Sequence, residues 1–441
     1  MGKMKSFLRG FGLILIVVAG IVGWSVLPWQ ILLLLALAFG AWMLLTRSGR
    51  QAGSVTRVGV STLPQRIGAS SVVVVGIAGV VAVLVSLLAM GVGYRDALGK
   101  SGSPDTAIVM RGGSASEVSS VLDHDSATVI AQAPGIARDA DGKPIASPEL
   151  VVAANLPLND GSTDEGSVQV RGVGDEAWAL RPEVKIVQGR RFKPGLRELV
   201  VGKGAQRQFA GLQLGHEIKL GSQIWTVVGV FRSDNAMDSE LWGDADVIAS
   251  AYRRGSSRSA VYVRLKDPGA FDAFKAALSS DPRLQVDTTT TLEYFSKQSE
   301  SVTKMISAIG IVVGVIMGIG AVFGALNTMF ATVATRAREI ATLRAIGFRG
   351  QPVVVAVMLE TMLLALLGGI IGGVLAWLVF NGHNASTLAA GSVGKLSFQL
   401  SVSPQLLWTG IKWALAIGFI GGLFPAVRAA RLPVTTALRE L

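Results

Sequence analysis

Few residues of this chain have the types and spacing that catalysis or metal binding requires. The stretch "HEIKL" at 216–220 begins like a zinc-binding H-E-x-x-H helix, but Leu220 stands where the second histidine is needed. The stretch "AAGSVGKLS" at 389–397 approaches the loop that cradles nucleotide phosphates, but Ala389 replaces its first glycine and Leu396 follows its lysine. We therefore predict no catalytic residue, no metal site and no bound cofactor in this chain.

Two acidic stretches contain enough carboxylates to be considered as metal sites. "DHD" at 123–125 has a histidine between two aspartates, and "DSELWGD" at 238–244 has the acidic character of a calcium loop. For the first we favour a solvated turn, and for the second an ordinary exposed loop around Trp242. The sequence has three histidines and no cysteine, so thiol chemistry is excluded and a disulfide framework is absent.

Ionisable residues within apolar runs mark ion or proton pathways in membrane transporters. Glu360 and Lys412 are the two candidates here, each about two helical turns inside such a run. We expect Lys412 to reach the membrane interface through its long side chain. One carboxylate does not make a proton relay, so the sequence disfavours a secondary transporter.

The stretch "ATRAREIATLRAIGFRG" at 334–350 is the strongest candidate for an interaction site. As a helix at 100° per residue, it brings Ile340, Leu343 and Ile346 into one arc framed by charges, with Gly347 as the helix stop. An apolar centre among charges favours docking to another protein, whereas the alternative is a basic loop resting on lipid headgroups. The residues predicted to make this contact are Arg336, Arg338, Glu339, Ile340, Leu343, Arg344 and Gly347.

Composition places these candidates in a membrane protein. The chain has 441 residues, half of them hydrophobic, and a mean hydropathy of +0.50. Residues 94–303 hold 24 of the 41 lysines and arginines and 27 of the 30 aspartates and glutamates, so the net charge of +11 arises outside this segment. That basic excess lies beside apolar runs, which indicates the cytoplasmic flanks of membrane spans and argues against a nucleic-acid partner.

The apolar runs predict a polytopic α-helical membrane protein of about six spans with a large extracytoplasmic α+β domain. The first run, Gly10–Leu45, is broken at Pro28 and predicts a transmembrane or re-entrant hairpin, which we expect to be a retained anchor. The predicted segments are the N-terminal hairpin (1–46), a cytoplasmic basic link (47–70), the third span (71–93), the outer domain with its stalk (94–303), the fourth span (304–332), a cytoplasmic coupling helix (333–351), the fifth span (352–380), an outer loop (381–405), the sixth span (406–426) and a cytoplasmic tail (427–441).

The placement of arginine and lysine predicts the orientation of the spans. Under a six-span topology, 14 of these residues flank the spans on one side, whereas the short loop 381–405 on the other side carries only Lys395. We therefore expect both termini in the cytoplasm and the domain 94–303 on the opposite side of the membrane.

The segment 94–303 has the pattern of a folded domain. Runs rich in β-branched and aromatic residues predict strands, and Leu220-Gly221-Ser222-Gln223 predicts a hairpin turn between two of them. The stretch "LEYFSKQSESVTKM" at 292–305 predicts a helix that continues directly into the fourth span. The predicted strands are "ELVVAANL", "SVQVRGV", "HEIKL", "QIWTVVGVF" and "SAVYVRL", and the predicted helices are "GAQRQFAGL" and "GAFDAFKAALS".

Glycines four residues apart within the spans predict close helix packing. The fifth span contains two such pairs, Gly368 with Gly372 and Gly369 with Gly373. Packing within one bundle is one interpretation, and a seam between two copies of the chain is the other.

Two cytoplasmic stretches resemble the FtsX-like permease family, the membrane subunits of macrolide-export, lipoprotein-release and cell-division ABC systems. "NTMFATVATRAREIATLRAIGF" at 327–348 matches the family's cytoplasmic loop, although Thr335 and Ala341 replace its usual glutamate and glycine. "PAVRAARLPVTTALRE" at 425–440 is similar to the family's tail, and "GRRFKPGLRELVVGKGAQRQF" at 189–209 to its outer domain.

This resemblance implies a function for the stretch 334–350. In the family it is a coupling helix that enters a groove of a cytoplasmic ABC ATPase, and the tail residues Arg428 and Arg431 lie on the same side. Glu360 then corresponds to a family packing position. The hairpin 1–46 departs from the family's common four-span plan, and a fused ATPase domain, present in some members, is missing from this sequence.

The resemblance also implies partners. We expect two copies of a separate ATPase that bind ATP and Mg²⁺, a second permease chain that is identical or related with the identical chain favoured, and membrane lipid around them. A periplasmic adaptor is a further expected partner, and the location is the bacterial inner membrane with the large domain in the periplasm. Export by mechanotransmission is the leading interpretation; regulation of a cell-wall hydrolase, lipoprotein release and antibiotic resistance are the alternatives.

Overall fold

The structure is a computed structural model that describes residues 23–24, 27–388 and 395–431. These residues divide into two compact units. The helical unit combines the residues up to Ala89 with Ile306–Asn381 and the residues from Ser401 onward. The sheet unit combines Met90–Met305 with Gly382–Leu400. The first arm of the predicted hairpin, the stretch 389–394 and the tail beyond Arg431 lie outside the described residues.

Helices supply most of the helical unit, and shorter ones flank the sheet. Three-residue or four-residue 3-10 turns occur at Leu63–Arg66, Glu117–Ser119, Ala236–Ser239 and Pro268–Ala270. The α-helices are α1 (Trp29–Leu45), α2 (Arg47–Ser61), α3 (Ile67–Gly99), α4 (His124–Ala131), α5 (Glu176–Leu180), α6 (Lys203–Gln208), α7 (Ala245–Ala251), α8 (Phe271–Ser280), α9 (Thr291–Thr335), α10 (Ala337–Ala345), α11 (Gly350–Phe380) and α12 (Pro404–Arg431).

The strands of the sheet unit form one large mixed sheet and one small two-stranded sheet. The large sheet has the order β10-β1-β9-β2-β3-β8-β5-β7-β4, with β6 paired to β7. The strands are β1 (Thr106–Arg111), β2 (Ala146–Pro157), β3 (Glu165–Val173), β4 (Lys185–Gly189), β5 (Glu198–Gly202), β6 (Glu217–Leu220), β7 (Gln223–Arg232), β8 (Glu240–Asp244), β9 (Ala260–Arg264), β10 (Val286–Thr290), β11 (Asn384–Leu388) and β12 (Lys395–Gln399). Helices pack beside this sheet, so the predicted α+β domain is confirmed.

Among the described residues, four helices are long and apolar enough to cross a membrane. They are α3 with its preceding 3-10 turn, α9, α11 and α12. The pair α1 and α2, bent by 96°, becomes a fifth if it is counted as one span. The prediction of about six spans depends on residues before 23, so six stays a prediction.

The bend between α1 and α2 has a local cause. Thr46 ends α1 because its backbone is extended, at φ −95° and ψ 150°. The Thr46 side chain then caps α2 by accepting the backbone N–H of Gly49 at 2.9 Å. A Cβ at Gly49 would overlap the carbonyl oxygen of Trp42, so the turn requires glycine there. The segment 47–70, predicted as a basic link, is therefore largely helical.

The structure confirms the predicted strands, the hairpin turn and the helix before the fourth span. The five predicted strands lie in β2, β3, β6, β7 and β9. Leu220 pairs with Gln223 across the hairpin, and Gly221 has a φ of 59°, which favours glycine. The stretch 292–305 lies within α9, a continuous helix of 45 residues.

One prediction for this unit is wrong. "DSELWGD" at 238–244 is not an exposed loop around Trp242, because its residues form the end of a 3-10 turn and strand β8. Trp242 is completely buried and its indole N–H donates to Glu240 Oε2 at 2.7 Å. Glu240 is therefore a hydrogen-bond partner inside the core.

Candidate functional site

The coupling stretch contains a break followed by a short helix. Arg336, at φ −99° and ψ 8°, separates α9 from α10, and α10 ends at Ala345. Gly347 has a φ of 105°, the left-handed region that stops a helix without strain in glycine. The amide of Phe348 then donates to the carbonyl of Leu343 at 3.1 Å. The stretch 334–350, predicted as one helix, therefore contains the end of α9 and all of α10, with Arg336 between them. We call Thr335–Ala337 the joint.

Arg336 is buried and contacts carboxylates of two helices. It is 8% exposed, and its Nη1 lies 2.8 Å from Oε2 of Glu360, which is 3% exposed. Its Nε also donates to Oε2 of Glu339 at 3.1 Å. One guanidinium thus contacts carboxylates of α10 and of α11, and the carboxylate on α11 lies in the interior of the helical unit.

Helix α2 and the 3-10 turn after it complete this arrangement. Arg66 Nη1 lies 4.0 Å from Glu360 Oε1, and its Nη2 donates to the Thr62 hydroxyl at 2.6 Å. Gly59 is buried against the pair: a Cβ there would stand 3.1 Å from Glu360 Oε2 and 3.3 Å from Arg336 Nη1. The sequence analysis did not identify Gly59 and Arg66 as site residues. The signal in the sequence was Glu360, a single carboxylate within an apolar run.

The predicted apolar arc is divided between the interior and the surface. Ile340 is 5% exposed and packs in a cluster with ends of α9, α11 and α12. Leu343 is half-buried, whereas Ile346, just beyond α10, is 68% exposed. The surface available to a partner therefore centres on Leu343 and Ile346, and Ile340 anchors α10 to the helical unit.

The charged residues of the stretch surround an apolar groove. Glu339 and Arg338 are exposed and Arg344 is half-buried. The groove has a volume of about 470 Å³ and is lined by residues of α2, α10 and α11, by Arg336 of the joint and by Phe348 between α10 and α11. These residues include Ser54, Val55, Val58, Arg338, Leu343, Phe348 and Val353.

The predicted tail residues lie at the end of α12. Arg428 places its guanidinium 5.5 Å from the ring centre of Phe330 in α9, a cation–π contact. Arg431 is the last described residue of the helix and is exposed. Ala426 and Ala429 pack in the same cluster as Ile340, so the end of α12 supports α10 from within the unit.

The glycines of the fifth predicted span are buried within a single chain. A Cβ at Gly368 or Gly372 would meet backbone atoms of α3, and one at Gly369 would lie 2.8 Å from the Ala414 side chain in α12. Gly373 faces Leu407 in the same helix α12 at 3.3 Å. All four glycines therefore lie between helices of one bundle.

The sheet unit holds a buried charged cluster that the sequence analysis missed. Arg171, 1% exposed, lies within 3.0 Å of Glu117, Glu149 and Glu240. Arg181 donates to both oxygens of Glu149, at 2.5 and 2.9 Å.

These contacts change the acidity of the members of the cluster. Burial alone raises the pKa of Glu149, but Arg181 and Arg171 outweigh that effect and hold the pKa below its usual value. Burial, together with the charge of Glu117, raises the pKa of Tyr262 well above its usual value. No group of three or more metal-ligating side chains occurs among the residues that the structure describes.

Two family models match the chain. A model of the MacB-like periplasmic core domain matches residues 70–281, and a model of the FtsX-like permease C-terminal region matches residues 309–434. The first covers most of α3 and every strand of the large sheet except β10, and the second covers the joint, α10, α11 and α12. The two matches do not overlap; the second includes Arg336 and Glu360, whereas Gly59 and Arg66 lie outside both.

The chain is also similar to curated relatives and to parts of solved structures. The chain is 27% identical to "Macrolide export ATP-binding/permease protein MacB" of Bordetella avium and 26% identical to that of Escherichia coli, each over 67% of this chain and 46% of the relative. The chain thus spans about half the length of these relatives. The periplasmic region of MacB from Actinobacillus actinomycetemcomitans aligns with a TM-score of 0.32 at 14% identity, over 46% of this chain and 92% of that structure.

Proposed function

We propose that the chain is the permease subunit of an ABC-type export complex, a proposal supported by its matches to the MacB-like periplasmic core domain and the FtsX-like permease C-terminal region. It has no catalytic role in this proposal. Two copies of a cytoplasmic ATPase bind ATP and Mg²⁺, and their closure moves the coupling stretch 334–350. A second permease chain, which we expect to be identical, presents the same stretch to the second ATPase.

One observation carries the mechanism. Helix α9 runs without interruption from Thr291 to Thr335, so a single helix contains residues of the sheet unit and ends at the joint. Continuous helices transmit displacement because each turn is held by backbone hydrogen bonds. A push on α10 is therefore passed to α9, whose first residues belong to the sheet unit. This motion drives export, with a periplasmic adaptor as a further partner.

The proposal places both termini in the cytoplasm, and the distribution of basic residues supports this orientation. The exposed basic residues Arg47, Arg50 and Arg57 lie on α2, and Arg338 lies on α10. Cationic residues remain on the cytoplasmic side of bacterial inner membranes, close to anionic lipid. In the proposal the coupling stretch therefore faces the ATPase, and the sheet unit faces the periplasm.

Replacing Ile346 by aspartate tests the proposed docking. Ile346 is 68% exposed, so Ile346→Asp leaves the interior unchanged and places a charge at the centre of the proposed contact. We expect the variant to insert normally and to bind the ATPase about 30-fold more weakly or worse, since a charge buried at an interface without a partner costs ~2–5 kcal/mol. Affinity is measured with the purified full chain and its ATPase in lipid nanodiscs.

Ile224 provides a matched control in the sheet unit. Its side chain is 59% exposed, and Ile224→Asp makes the same chemical change far from the coupling stretch in sequence. This control keeps wild-type affinity if the docking site is at α10. If Ile346→Asp also keeps it, the stretch is a loop at the lipid surface and the proposed function fails.

A further inference from the structure

Glu360 and Arg336 are ionisable side chains in a place that disfavours unpaired charge. Both are at least nine-tenths buried, and their closest atoms are 2.8 Å apart. Removing a charge from water is costly unless an opposite charge and hydrogen bonds replace the water. Each of these residues therefore depends on the other, and a neutral substitution of either one removes the closest counter-charge of the buried partner.

Arg336 occupies the position where this dependence has a mechanical effect. It is the non-helical residue between α9 and α10, so its own backbone sets the angle between the two helices. Its side chain also contacts Glu339 on α10 and Glu360 on α11. If this side chain is released, α10 loses its charged tie to α11 and retains the apolar contact of Ile340.

The N-terminal segment closes the same cluster from another side. Gly49, Ala52, Val55 and Gly59 form the buried face of α2. The small size of Gly59 leaves room for the Arg336–Glu360 pair, and Arg66 brings a second cation to 4.0 Å from Glu360. Residues 47–66 therefore pack against the Arg336–Glu360 pair. They lie outside the match to the permease C-terminal region, which begins at residue 309.

We propose that Arg336 and Glu360 form a latch that fixes the joint, and that α2 with Arg66 is the structural support of this latch. Arg336, Glu360, Gly59 and Arg66 are positioning residues: they hold α10 at the angle at which a push on it reaches α9. The N-terminal segment is therefore part of the coupling apparatus. This inference rests on the proposed function for its consequence, and on the structure alone for its geometry.

The geometry is tested without any ATPase. Ser54 on α2 and Thr342 on α10 both line the groove, and the chain contains no cysteine, so a Ser54→Cys/Thr342→Cys pair can be linked by a short bismaleimide. We expect efficient cross-linking in the otherwise unchanged chain and a clear loss of yield when Arg336→Gln or Glu360→Gln is added. Unchanged yield in both variants overturns the latch, whatever the transport activity.

The consequence for coupling is tested with the ATPase present. At saturating ATPase, Arg336→Gln is expected to stimulate its hydrolysis roughly 2- to 30-fold less, the range typical of residues that carry coupling between sites. Arg336→Gln/Glu360→Gln should recover part of this loss, because the double variant leaves no buried unpaired charge. A double variant as impaired as the sum of the two single variants would contradict a mutual tie.

Two further variants separate the latch from general damage. Gly59→Ala improves helix propensity but crowds the pair, so we expect reduced stimulation with normal insertion. Arg57→Gln removes a positive charge from the exposed face of α2 and should leave stimulation and cross-linking unchanged. Equal effects of Arg57→Gln and Arg336→Gln would assign the loss to net charge and overturn the proposal. Failure of the docking function appears instead as full ATPase affinity in Ile346→Asp, which leaves the cross-linking result valid.

Discussion

Arg171 in the sheet unit shows how a fully buried charge is accommodated. Its guanidinium contacts three carboxylates, and one of these, Glu240, also accepts hydrogen bonds from Gln169 and Trp242. Buried polar networks are stable when every member has partners, and they fail when one member is removed. The cluster therefore makes the sheet unit sensitive to any condition that neutralises its carboxylates.

Acid is such a condition, and Glu149 gives its direction. The folded-state pKa of Glu149 lies below its usual value, so its stabilisation is complete above the unfolded pKa of about 4.3 and is lost as the pH falls through the folded pKa. We expect peptides from β2 and β3 to lose hydrogen-exchange protection below about pH 4, with those from α11 keeping theirs.

The variant Glu149→Gln separates this titration from other effects of acid. It removes the titrating group but leaves Arg171 and Arg181 short of one negative charge, so the sheet unit should be about 3–5 kcal/mol less stable at neutral pH. Its remaining stability should fall less steeply with acid than that of the unchanged chain. An identical acid profile in both proteins would show that other carboxylates control the transition.

At the scale of elements, glycines decide how closely the helices of the helical unit approach. A Cβ at Gly372 would overlap the carbonyl oxygen of Ala78 in α3, and backbone atoms cannot rotate away. A Cβ at Gly324 in α9 has open space within 4 Å. Both residues are helical, so the intrinsic propensity gained by an alanine is the same and the contacts differ.

This contrast predicts opposite results for one substitution. Gly372→Ala should destabilise the helical unit by about 1–3 kcal/mol, because α3 and α11 must move apart. Gly324→Ala should be neutral or slightly stabilising. Thermal unfolding of the two variants in the same detergent measures the difference, and equal melting temperatures would show that α3 and α11 do not pack at this distance.

Elements were predictable from sequence where the signal is local. β2, β7 and β9 contain runs of β-branched and aromatic residues bounded by turn residues, and these runs suffice to predict them. β8 was missed because Glu240 and Gly243 interrupt its apolar pattern, and the residue that makes Glu240 acceptable inside, Arg171, lies 69 positions away. α2 was read as a link because its buried face consists of small residues, whose packing on α11 is a tertiary effect.

The candidate site follows the same rule. The stop at Gly347 follows from the glycine itself and was predicted, whereas the break at Arg336 was not. The burial of Arg336 depends on Glu360, 24 positions later, and on Gly59 in another helix. Such a pairing cannot be deduced from helical periodicity, since periodicity describes one helix at a time.

For the whole molecule, charge and hydropathy predict which surfaces meet the cytoplasm. The sheet unit is nearly balanced in charge, whereas the flanks of the spans are basic. A chain inserted by this asymmetry keeps α2 inside the cell and the sheet unit outside it. Ser54 is an exposed residue of α2, and Ser256 is an exposed residue of the sheet unit.

Cysteine labelling checks the orientation in the cysteine-free chain. In spheroplasts, Ser256→Cys should react with a membrane-impermeant maleimide, and Ser54→Cys should react after permeabilisation only. Each variant is a control for the other. Ser256→Cys shows that the reagent is active in sealed spheroplasts, and Ser54→Cys after permeabilisation shows that its cysteine can react. Labelling of Ser54→Cys in sealed spheroplasts would reverse the assigned orientation.

The contact between Trp24 and Lys412 has a consequence for biosynthesis. The indole N–H of Trp24 donates to the Lys412 carbonyl at 3.1 Å, across a separation of 388 residues. A ribosome that adds ~5–20 residues per second needs roughly 20–80 s to pass from one to the other. For most of that interval α2 and Arg66 have been synthesised, and their partners Arg336 and Glu360 have not. The nascent N-terminal helices must therefore be held in the bilayer by lipid or by the insertion machinery until the last helix arrives.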